Sequence, residues 1–140
     1  MDYCIETIEE LLKDKLFEAV LHFGSKELKK VDIGVFPWHS TIELSLYFTE
    51  NSADINDVAS WPNFNFSKMS EGGWPEGKEL AIIMNQEWEE TTDAIPYFLD
   101  FGTAASSDKV KETLEMFNLA NDFKIQVLNP DERNSENYCA

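Results

Sequence analysis

Residues 31–48 constrain the fold of this chain more than any other stretch. Val31, Ile33 and Val35 alternate with Asp32, Gly34 and Phe36, while Ile42, Leu44, Leu46 and Phe48 alternate with Thr41, Glu43, Ser45 and Tyr47. Successive side chains on a strand point to opposite faces, so each run has one apolar face and one mixed face. The connection Pro37-Trp38-His39-Ser40 has the length of a hairpin loop, where Pro removes no ladder hydrogen bond. The pattern predicts an antiparallel pair over 31–36 and 41–48, with Ile42, Leu44, Leu46 and Phe48 buried. A helix over residues 3–23 supplies a cover for that face. Ile5, Ile8, Leu12, Leu16, Ala19, Val20 and Phe23 recur at three- and four-residue spacing. Acids crowd the first turns of this helix, which suits its dipole, and Gly24 stands where it should stop. Ser25 to Lys30 reads as a short polar connection.

The remaining elements are less regular. Ser52 and Asp54 suit a short helical turn around Ile55 to Ser60, and Asn63 to Phe66 suits a short strand. Ser70, Gly72, Gly73, Pro75 and Gly77 make a loop, with Trp74 either exposed or clamped against the core. Residues 79–93 fit a helix whose apolar arc holds Leu80, Ile83, Met84 and Trp88. Ile82 falls outside that arc, so a strand at 80–84 stays open. Glu87 falls on it, either at its rim with the carboxylate in water or as a partly buried acid with a specific partner. Ile95 to Phe101 is apolar up to Gly102, and Thr103 to Ser107 reads as a loop. Ser107 can cap a helix running through Asn118. Phe123, Ile125 and Val127 alternate as a last strand over 123–128, which Asn129-Pro130 ends. The expected whole is one α+β domain over 1–130, a mostly antiparallel sheet with helices packed on it. Residues 131–140 read as a polar, flexible tail.

The charge is large and segregated. Asp plus Glu number 27 against 11 Lys plus Arg, a formal net charge of −16. Between Lys30 and Lys68 lie five acids and no base, and between Lys78 and Lys109 seven acids and no base. Disorder is excluded by ten Phe, four Trp and four Tyr, which suffice for a core. Such a surface repels nucleic acid and anionic membrane and attracts a basic protein. No apolar run reaches the roughly 20 residues of a membrane span, and the acidic N-terminus does not read as a signal peptide. Cys4 and Cys139 form neither a disulfide framework nor a metal motif, and a reducing cytoplasm is the expected compartment.

Chemistry is hard to place on this chain. His22 and His39 have no ligand at metal spacing. No nucleophile-elbow string appears, and Gly72-Gly73 lies among acids that would repel phosphate. The pair Glu89-Glu90 reads as a solvated helix face, because acid–base work needs a pocket that separates the two pKa values. No enzyme activity, metal or cofactor is expected. The stretch 70–93 combines acids with two tryptophans, and an interface uses charges for encounter and aromatics for buried area. Glu71, Trp74, Glu76, Glu79, Glu87, Trp88, Glu89, Glu90 and Asp93 are therefore the candidate partner-binding residues.

The string Gly34 to Ser40, running into the strand Thr41 to Phe48, together with the leading helix and the later Trp- and Glu-rich segment, resembles the immunity proteins of bacterial contact-dependent inhibition and other polymorphic toxin systems. The resemblance implies a cytoplasmic, non-enzymatic inhibitor that binds a basic nuclease toxin domain and masks its active site. It assigns no contact residue. The alternative is an acidic binding or adaptor domain with no toxin partner, whose charge serves solubility.

Overall fold

The computed structural model describes residues 1–139, and the predicted hairpin is its centre. Strand β1 (Glu27–Phe36) pairs antiparallel with β2 (Thr41–Phe48), setting Val35 opposite Ile42, Ile33 opposite Leu44 and Val31 opposite Leu46. All of these, with Phe48, are buried on the core face. A 3-10 turn at Pro37–His39 joins the strands and ends on Ser40, whose left-handed φ of 50° reverses the chain. The outer face of β2 is also covered. The Tyr47 hydroxyl donates to the carbonyls of Asn51 and Ala53 at 3.0 and 2.7 Å, and its ring meets Trp61 edge-on at 5.3 Å. The Asn65 amide donates to Ser45 Oγ at 2.8 Å, and the Leu46 amide to the Asn63 carbonyl at 3.2 Å. The loop after β2 thus satisfies an edge that would otherwise invite pairing. The short strand expected at Asn63 to Phe66 reduces to this single bridge, and helix α2 (Phe66–Met69) follows it.

The sheet is mixed, not mostly antiparallel. Its order is β2-β1-β3, and β3 (Asn118–Gln126) runs parallel to β1, with Leu119 opposite Leu28 and Ile125 opposite Val31. All the later helices lie between β2 and β3 in the chain, and such a crossover lets a strand re-enter in the same direction. Strand β1 starts before the expected Val31. Leu28 is fully buried, while Lys29 reaches Asp122 at 3.2 Å, so a segment that reads as a polar connection belongs to the sheet.

Helix α1 (Ile5–Phe23) buries Ile8, Leu12, Leu16 and Ala19 and ends at Gly24, whose φ is 62°. Helices α4 (Ile95–Ala105) and α5 (Asp108–Leu114) pack against α1, and α4 reaches β1. The expected loop at 103–107 is mostly helix. Gly102 lies inside α4, where any Cβ would run into the Tyr138 carbonyl, so glycine serves close approach rather than termination. Ser107 caps α5 as expected, accepting from the Val110 amide at 3.3 Å, but α5 ends at Leu114 because Asn118 already starts β3. Helix α3 (Pro75–Thr91) starts four residues early, which places Pro75 in its first turn and removes the strand option at 80–84. The end of the expected tail returns to the domain. Asn137 brackets the end of β3, donating to the Ile125 carbonyl at 3.0 Å and accepting from the Val127 amide at 3.1 Å. The Tyr138 ring then rests 5.6 Å from Phe98.

Candidate functional site

Helix α3 has two faces. Gly77, Leu80, Ala81 and Met84 are buried against the body of the domain. Asn85 fastens this side by donating to the Pro37 carbonyl at 2.8 Å. Trp74, just before the helix, lies on Gly77 so closely that no Cβ fits there. It is therefore clamped, and Trp88 is likewise half-buried on the core side. The turn that carries Trp74 is itself anchored by Lys15 of α1, a side chain only 2% exposed. Lys15 Nζ donates to Ser70 Oγ and to the Gly73 carbonyl, both at 2.7 Å, and pairs with Glu18 at 2.9 Å.

On the other side of α3, Glu76, Glu79, Glu87, Glu89 and Glu90 are all exposed. At about 100° per residue, Glu76, Glu79, Ile83, Glu87 and Glu90 share an arc of about 80°, a stripe about 21 Å long. Glu87 thus stands at the rim of the apolar arc with its carboxylate in water. Glu89 lies on the adjoining flank beside Ile82, which is 44% exposed. Glu71 falls in the turn before the helix, apart from the acids of its far end.

That far end gathers more charge than the α3 sequence alone predicts. Thr92 ends α3 in the left-handed conformation, and Asp93 Oδ1 accepts from the Ile95 amide at 3.1 Å as α4 begins. The tight corner sets Tyr97 among acids of both helices. Burial raises the Tyr97 phenol above its ordinary range, and the carboxylates of Glu87, Asp100, Glu90 and Asp93 raise it further. Tyr3 meets Tyr97 edge-on at 5.5 Å, and its hydroxyl is buried beside Asp100 without a hydrogen bond of good geometry. Burial and then Asp100 push this phenol up as well. Two apolar side chains of α4 are exposed as well, Ile95 at 40% and Leu99 at 51%, about 160° round the helix from Tyr97. Asp100, Ile95 and Leu99 are the residues that sequence reasoning missed. The signal for the last two is their four-residue spacing in an apolar run. Nothing in the sequence brings Asp100 to Glu87.

Among the described residues, ion pairs form on Lys13, Lys15, Lys26, Lys29 and Lys109, and none reaches an acid of α3 or Asp100. The face keeps its charge uncompensated. No group of three His, Cys, Asp or Glu among the described residues could hold a metal ion. Both cysteines are free thiols. No described helix is long and apolar enough to cross a membrane. No family model, curated protein or solved structure matches the chain.

Proposed function

We propose that this chain is a non-catalytic domain that captures a basic protein on the outer face of α3 and on the α3–α4 corner. The partner is a bacterial toxin nuclease domain, held in the cytoplasm with its active site masked, as the resemblance to immunity proteins implies. The observation that carries the reading is the unpaired carboxylate stripe along α3, continued at the corner by Asp93 and Asp100 around Tyr97. Unpaired acids steer a basic partner at long range, and an exposed apolar side chain such as Ile82, on the flank of Glu89, supplies area that excludes water after docking. Carboxylates spaced along a helix can occupy a cleft built for phosphates, because both present anionic oxygens to Lys and Arg. Trp74 and Trp88 serve this surface from below by fixing α3, not as anchors.

The test is growth rescue. A basic nuclease domain encoded beside the chain's own gene is expressed with and without it. The chain restores growth, and a variant with Glu87, Glu90 and Asp93 changed to Lys does not. The triple change also slows association most at low salt, where screening is weakest. A neighbouring frame that encodes no basic protein, or a reversed variant that rescues as well as the parent, overturns the reading in favour of acidity for solubility.

A further inference from the structure

The outer face of the sheet holds a second concave feature, away from α3. Residues 56–64 on one side and the turn 128–135 on the other stand above β1 and β2, leaving a cleft of about 820 Å3. Gly34 and Glu43 face each other across the ladder, and Asp32 lies two residues along on the same face. Gly34 leaves room for the Phe36 ring, since a Cβ there would stand 2.8 Å from a ring carbon. Phe64 forms part of the opposite wall and Glu132 stands on the turn.

Asp32 is the unusual group. Its Oδ1 accepts from Gln126 Nε2 at 2.8 Å, and its second oxygen has no partner among the described residues. No Lys or Arg lines the cleft. The carboxyl is raised to about 6, chiefly by burial and also by Glu43, against the lowering effects of the Gln126 hydrogen bond and of Lys30. Glu43 is raised too, by burial, against Lys68. A carboxylate partly withdrawn from water, with only a neutral hydrogen-bond partner, is harder to charge, and an incoming cation would offset that. The Phe36 ring, which lies over Gly34 in the same cleft, selects the cation. A guanidinium can direct two parallel N–H bonds at the carboxylate while its plane stacks on the ring, whereas an ammonium can only act as a point charge.

We infer that this cleft binds an arginine side chain of another protein, with Asp32 as the carboxylate anchor, Phe36 as the stacking surface, and Glu43 and Glu132 as charges at the rim. The site shares no residue with the α3 face and does not depend on it.

The experiment titrates the full isotope-labelled chain, near neutral pH, with N-acetyl-arginine N-methylamide and with its citrulline and lysine counterparts. Arginine produces saturable amide shifts at Gly34 and Phe36 with a dissociation constant on the order of millimolar, and citrulline produces none. Asp32→Asn keeps an acceptor for Gln126 and removes the charge; it weakens arginine binding about tenfold or more while the melting temperature holds or rises. Changing Glu87, Glu90 and Asp93 to Lys leaves the arginine response at Gly34 intact, which separates this site from the α3 reading. Equal responses to citrulline, lysine binding as tight as arginine, or an Asp32→Asn variant that binds as well as the parent each overturn the assignment.

Discussion

Lys15 is 2% exposed on α1 and Asp32 is half-buried on the outer face of β1, and the fold treats these two charges in opposite ways. The ammonium of Lys15 has three oxygen partners within 2.9 Å, one for each proton. Asp32 has one bond, from a neutral amide, and an oxygen left over. A buried charge with its hydrogen-bonding capacity filled fixes structure, whereas a half-buried one with an oxygen left open to a cleft costs stability and stays available to a ligand. Lys15 accordingly joins α1 to the turn that positions α3, and Asp32 faces an open cleft.

The comparison breaks most visibly at Lys15. Lys15→Ala leaves the Ser70 hydroxyl and the Gly73 carbonyl without their donor, and the expected loss is about 2–4 kcal/mol in urea unfolding. Trp74 should loosen with the turn, so tryptophan emission should shift to the red. Lys15→Met, which keeps the volume, should lose less. A loss under about 1 kcal/mol for the alanine variant would mean that the anchor is ornamental.

Asp32 should respond with the opposite sign. Its folded carboxyl sits at about 6 against an ordinary 3.8. Between those values the native state holds more protons than the unfolded chain, so stability falls as pH rises through the window and is recovered on acidification. Glu43, raised in the same direction, adds to the trend. Asp32→Asn should therefore gain about 1–3 kcal/mol near neutral pH and flatten the rise in melting temperature between neutral pH and pH of about 5. Parallel pH profiles for parent and variant would show that this carboxylate is no burden.

The smallest effect belongs to a half-exposed surface charge. Glu10 pairs with Lys109 and Lys13, and these bonds hold its carboxyl below the ordinary range. Glu10→Gln should leave the unfolding midpoint unchanged within error, because water screens such a pair and side-chain entropy opposes it. A clear drop would place this surface pair with Lys15 rather than apart from it.

What the sequence reveals follows the same division between local and distant causes. The apolar stripe of α1 and the inward face of β2 are legible because their periods are carried by neighbouring residues. The polar start of β1 is not, since Lys29 joins the sheet only through Leu28 beside it and Asp122 far along the chain. Gly102 reads as a stop because the Tyr138 carbonyl that explains it lies near the other end of the sequence. The solvated face of α3 is legible from helical geometry alone. The fourth acid at its corner, Asp100, and the walls around Asp32 require the finished fold.

The parallel pairing of β3 with β1 also has a consequence for the newborn chain. Helix α1 and the β1–β2 hairpin are complete once Phe48 has emerged, and their contacts are local enough to form early. Strand β3 is made after every other described element, and it closes the open side of β1. Throughout the synthesis of α2 to α5, the nascent protein therefore presents β1 as a bare edge. Its Lys29, Lys30 and Asp32 are the kind of charged residues that discourage one growing chain from zipping onto another.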